Sequence, residues 1–141
     1  MSFGEAVRSV RSNLTNFTGR ARRSEFWWWY LFAFLVMFAA GIVFSVVVGI
    51  MTAIDVQALT TVVGIVLGLA LLAIWVYVFI GILSAGVRRL HDQDKSGLFL
   101  LLAFVPFVGG ILVLVFCALE GTQGPNQYGP DPKAAPSTPA V

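Results

Sequence analysis

The sequence predicts an all-α integral membrane protein: a small bundle of three transmembrane helices, the third kinked or re-entrant at Pro106, plus an N-terminal amphipathic interfacial helix. Three observations carry this expectation. Of 141 residues, 58% are hydrophobic and only 11% charged, far from the balance of a soluble globule. The few charges leave three uncharged runs, at about 26–50, 61–83 and 98–119, each long enough to be read as a span. Five of the nine Lys and Arg residues (Arg8, Arg11, Arg20, Arg22 and Arg23) precede the first run, and such asymmetry orients a membrane protein with its basic side in the cytoplasm.

Taken in order, Phe3, Val7, Val10, Leu14 and Phe17 recur at steps of four, three, four and three, which places them on one face of a helix. Arg8 and Arg11 fall on other faces. The pattern predicts a helix lying in the headgroup layer, drawn there by anionic lipid. Thr18 and Gly19 end it. Arg20, Arg22 and Arg23 then lead through Glu25 into the aromatic block Phe26, Trp27, Trp28, Trp29 and Tyr30. Indole and phenol rings favour the interface, and arginines just outside it snorkel to phosphates. Ser24 is the expected N-cap of the first span.

The first span, 26–50, carries Gly41, Ser45 and Gly49 at intervals of four, and the second, 61–83, carries Gly64 and Gly68. Small residues at this spacing let helices approach closely, and the two strips are expected to face each other. The link between the spans contains Asp55 and no basic residue, as an external loop should. After the second span come Arg88, Arg89, Leu90, His91, Asp92, Gln93, Asp94 and Lys95, a basic loop assigned to the same side as the N-terminus.

The third run is interrupted by Pro106, Gly109 and Gly110. One continuous helix kinked at the proline is preferred, because neighbours can satisfy the carbonyl that proline frees. The alternative is two half-length pieces forming a re-entrant hairpin. Residues 121–132 show turn chemistry without an apolar period. A single membrane domain is therefore expected over 1–132, with a disordered tail at 133–141.

Three blocks together resemble domain-of-unknown-function family 805. They are Gly19-Arg20-Ala21-Arg22-Arg23-Ser24-Glu25-Phe26-Trp27, then Arg88-Arg89-Leu90-His91-Asp92 with Ser96-Gly97, and finally Pro106 and Gly109 with Gly121, Gly124, Asn126, Tyr128, Gly129, Pro130, Asp131 and Pro132. The resemblance implies a multi-pass protein of the bacterial plasma (inner) membrane. It supplies no activity, and Leu98 departs from it where many relatives carry an aromatic residue.

His91 and Asp92, with Asp94 nearby, invite a metal or acid–base reading. The chain has one histidine, and its single cysteine, Cys117, lies in an apolar run, so no transition-metal set is spaced in the sequence. Capping by Ser96 or Asp94, and pairing of Arg88 and Arg89 with lipid phosphates or with Asp92 and Asp94, explain the cluster more simply. No catalytic residue, metal or cofactor is assigned. The expected function is a non-enzymatic membrane module binding anionic lipid or a protein partner through Arg20, Arg22, Arg23, Glu25, Trp27, Arg88, Arg89, His91, Asp92 and Lys95. The alternative is a transport or channel component acting as a homo-oligomer; the uncharged spans lack the buried ionisable relays of a monomeric transporter. A lipid-headgroup enzyme using His91 and Asp92 is a third reading. Nucleic acid is not an expected partner, since the aromatics belong to the apolar runs rather than to a basic face.

Overall fold

A computed structural model describes residues 1–54 and 56–134. Of the expected external link only Asp55, and of the expected tail 133–141 only residues 135–141, lie outside the described residues. Helix α1, Phe3–Ser12, begins in a capping box in which Ser2 Oγ accepts from Glu5 N and Glu5 Oε2 accepts from Ser2 N at 2.7 Å. It buries Ala6 and Val10 and leaves Arg8 and Arg11 exposed. The periodicity predicts a longer face, but the helix stops at Ser12, so Leu14 and Phe17 lie beyond it. The cause is local. Asn13 Nδ2 donates to Ser9 O, and Asn16 Oδ1 accepts from both the N–H and the hydroxyl of Thr18, bonds that compete with the helical ladder.

Two long helices follow, α2 over Arg23–Ala53 and α3 over Gln57–His91. Their lengths of 31 and 35 residues exceed the roughly 20 needed to cross a hydrocarbon layer of about 30 Å. Only 6% and 11% of their most apolar windows are buried inside the protein, so these are not core helices of a soluble domain. Ser24 is not the cap: α2 begins at Arg23, and the carbonyl of Arg22 accepts from Glu25 N and Phe26 N.

The chain divides into two compact units, residues 30–80 and residues 1–29 with 81–141. In the first, Ala40, Val43 and Phe44 of α2 and Leu67, Ala70, Leu71 and Ile74 of α3 line one apolar cavity of about 120 Å³. The small-residue strips do not make the expected close approach. A Cβ added at Gly41, Gly49, Gly64 or Gly68 would meet no heavy atom within 4 Å, and Ser45 is exposed. Within α3 the close approach is instead at Gly81, whose missing side chain is replaced by the indole of Trp29.

The third apolar run is not one kinked helix. It forms a 3₁₀ helix, Gly97–Phe104, and helix α4, Gly109–Ala118, packed against each other. Ser96 caps the 3₁₀ helix, its Oγ accepting from Leu98 N. The break is chemical: Pro106 has no N–H to continue a ladder, Val105 is extended and Phe107 is left-handed at φ 65°. Gly109 completes the reversal, because any Cβ there would collide with the carbonyl oxygen of Leu102. The tip is apolar and bare, with Phe104 83% and Phe107 99% exposed.

Candidate functional site

The last turn of α3 is where the charges converge. Asp92 follows the final helical residue, and its carboxylate is only 2% exposed. Oδ1 accepts from Arg20 Nε and Nη2, both at 2.9 Å, and Oδ2 accepts from Arg89 Nη1. Its backbone carbonyl accepts from Thr122 N at 2.7 Å and Thr122 Oγ1 at 3.1 Å. One buried residue, through its carboxylate and its main-chain carbonyl, thus joins the segment before α2, the end of α3 and the segment after α4.

Each of the two guanidinia also reaches backbone carbonyls. Arg20 donates to Thr122 O and Gly124 O at 2.6 Å. Arg89 donates through Nε to Cys117 O at 3.0 Å and through Nη2 to Leu119 O, while Gln93 Nε2 reaches Phe116 O. The last carbonyls of a helix have no partner within it and carry the negative end of its dipole. Arg89 and Gln93 answer both needs at the C-terminus of α4. The base of the apolar hairpin is fastened to α3 at both ends, since Gly97 abuts Val87 closely enough to exclude a side chain without movement.

His91 closes the other flank. Its Nδ1 lies 3.1 Å from Gly19 O; a carbonyl only accepts, so Nδ1 carries the proton. The imidazole stacks on Tyr128 with centroids 3.8 Å apart and planes 3° from parallel. His91 stands well beyond the uncharged stretch 61–83, and burial pushes its pKa below the ordinary value, with the Gly19 bond acting in the opposite direction. Asn126 Nδ2 donates to His91 O at 2.9 Å and to Thr122 Oγ1 at 3.0 Å. Residues 126–129 make a tight turn through paired Asn126 and Gly129 backbone bonds. Asp131 is held below the usual carboxylate range by accepting from Lys133 N and Gly124 N. Gly121 lies so close to Asp92 that a Cβ would displace its carboxylate.

The structure therefore brings Arg20, Arg89, His91 and Asp92 together in an interior knot. Arg88 and Glu25 pair at 2.8 Å, each side chain 5% exposed, and Glu25 Oε1 also accepts from Ser9 Oγ. Arg22 Nε donates to Pro132 O at 2.6 Å. Arg23 pairs with Glu120 near solvent. Trp27 is exposed at 37%. Lys95 is half-buried, its ammonium 5.6 Å from the centre of the Phe116 ring. The knot members missed as site residues are Gly121, Thr122, Gly124, Asn126 and Tyr128; all but Thr122 stand in the blocks that carried the family resemblance.

With both oxygens of Asp92 held by guanidinia, the site is a joint rather than a poised general base. Among the described residues, no three of His, Cys, Asp and Glu gather as a metal-holding group.

The model of the family described as "Protein of unknown function (DUF805)" matches residues 14–130, a range that holds the whole Asp92 knot and excludes α1. The chain is 39% identical over 129 residues to inner membrane protein YhaI of Escherichia coli (strain K12), covering 89% of this chain and 92% of that one. It is 38% identical over 127 residues to inner membrane protein YhaH of the same organism, covering 90% and 95%. No solved structure matches. With a family match over most of its length and two relatives of this similarity, the chain belongs to the DUF805 family.

Proposed function

We propose that this is a non-enzymatic inner-membrane module of two spans and one re-entrant hairpin, whose cytoplasmic face binds anionic lipid. The hairpin supports the topology. Its two arms, 8 and 10 residues, extend roughly 15 Å each, about half the hydrocarbon layer. Its base is polar and fastened, and its tip is bare phenylalanine. Both ends of the hairpin then share a side with the N-terminus. A reporter fused after residue 141 should read out on the cytoplasmic side; an external signal would restore a third full span.

The lipid reading rests on α1. Arg20, Arg22, Arg88 and Arg89 are engaged by internal acceptors, whereas Arg8 and Arg11 remain exposed. Phe3 meets Trp28 edge-on with centroids 5.7 Å apart, so α1 sits beside the aromatic residues of the interfacial block. Near an anionic surface each basic residue contributes about 1 kcal/mol. Changing both Arg8 and Arg11 to Gln should weaken attraction to phosphatidylglycerol-rich bilayers about tenfold or more, with little change for neutral bilayers. The measurement is partitioning of the reconstituted protein's N-terminal segment, read by lipid-borne quenching of a fluorophore attached at Gly4→Cys, a position open to solvent, at low and high salt. Equal quenching in the two proteins would remove α1 as the lipid-binding surface.

A further inference from the structure

Arg88 is as buried as its neighbours in the knot and is unlike them in one respect. Arg20 and Arg89 place all three of their nitrogens on acceptors. Arg88, 4% exposed, uses Nη1 on Glu25, while no acceptor among the described residues reaches Nε or Nη2. Leaving buried donors unpaired is costly, and more so for a charged group. The two N–H groups concerned lie side by side on one edge of the guanidinium. That edge presents two parallel donors, the arrangement that takes two oxygens of a phosphate or carboxylate at once.

Its surroundings narrow the class of ligand. Glu25 already balances the charge of Arg88 at 2.8 Å, so an incoming group brings uncompensated charge, and burying two such charges is worse than burying one. A singly charged phosphodiester suits the edge better than a phosphate dianion. Depth points the same way. Trp27, Trp28 and Tyr30 follow Glu25 within five residues on α2 and are exposed, and such rings settle at the level of lipid headgroups. Helix α1 reaches the same place, through Ser9 on Glu25 and Phe3 on Trp28.

We infer that the free edge of Arg88 binds the phosphodiester of one phospholipid headgroup, beneath α1 and distinct from the exposed Arg8 and Arg11. The inference deepens the lipid-binding reading and rests on it for the depth of the site. Holding Nη1 on Glu25 is what turns the other edge toward the ligand, so Glu25 is a positioning residue.

The test is native mass spectrometry of the full chain in mild detergent, with added dioleoyl phosphatidylglycerol or dioleoylglycerol. The wild type should retain one phosphatidylglycerol and little diacylglycerol. Arg88→Lys keeps the charge and can still reach Glu25, but has no planar edge; it should lower occupancy about tenfold. The Arg8→Gln, Arg11→Gln variant should retain the lipid. Equal retention by Arg88→Lys, or equal retention of diacylglycerol by the wild type, overturns the site. The second comparison needs no variant and decides the matter even if Arg88→Lys does not fold. Displacement of the lipid by equimolar inorganic phosphate would overturn the lipid source in favour of the free ion. Altered quenching in the Arg8, Arg11 variant with unchanged retention in Arg88→Lys would leave the surface reading standing and remove this one.

Discussion

Asp92→Asn should be among the most destabilising single substitutions in the chain. The change is nearly isosteric, yet it leaves Arg20 and Arg89, whose side chains are 1% and 0% exposed, without their shared countercharge. Removing one partner of a buried ionic group costs about 3–5 kcal/mol, because the remaining charges stay desolvated. For a chain of this size that is a fall in melting temperature of roughly 10–20 °C. The measurement is thermal unfolding in a single detergent. Arg23→Ala is the internal comparison, since the Arg23 and Glu120 side chains are 41% and 72% exposed and an exposed pair contributes about 0–1 kcal/mol. If the two variants melt together, the knot is not what holds the hairpin to α3.

The second large effect is a difference of sign between adjacent residues. At Gly109 a methyl group collides with the backbone carbonyl of Leu102, which cannot move aside as a flexible side chain would; at Gly110 it meets nothing within 4 Å. Gly109→Ala should destabilise by about 3 kcal/mol, the upper end of the usual overpacking cost. Gly110→Ala, in the first turn of α4, should stabilise by about 0.5–1 kcal/mol through helix propensity alone. Differential melting of the two variants checks the turn without reference to any ligand. If both behave alike, the arms do not pack as described.

The parts of this fold legible in the sequence were those governed by periodicity or by the absence of charge. Two uncharged runs are α2 and α3, and Ser96 caps the segment it was expected to cap. The third run was ambiguous because Pro106 is compatible with both a kink and a break. What decides it is the left-handed Phe107 and the contact of Gly109 with Leu102, neither of which has a sequence signature. The small-residue strips show the opposite failure: the spacing is present, but the glycine of the two long helices with no room for a side chain is Gly81, chosen by the bulk of Trp29.

The site was harder to read for a related reason. Arg89 and Asp92 are three apart and could be paired from the sequence, and Asp92 was among the residues expected to meet Arg88 and Arg89. Arg20 lies 72 residues from Asp92, and its three other acceptors are all main-chain carbonyls of a glycine-rich segment. Carbonyls leave no trace in composition, so arginines that the fold places inside look from the sequence like residues of a surface.

That arrangement has a consequence during synthesis. Arg22 is paired with a carbonyl made 110 residues later, and Arg20 with Thr122 and Gly124, made 102 and 104 residues later. At roughly 5–20 residues per second, these arginines wait about 5–20 s before their acceptors exist. In that interval they remain hydrated and positive, the state in which arginines flanking a span act on its orientation. The knot can close only when the last segment arrives. On the proposed topology, the same arginines serve in turn as an orienting charge for the nascent chain and as a clasp for the finished one.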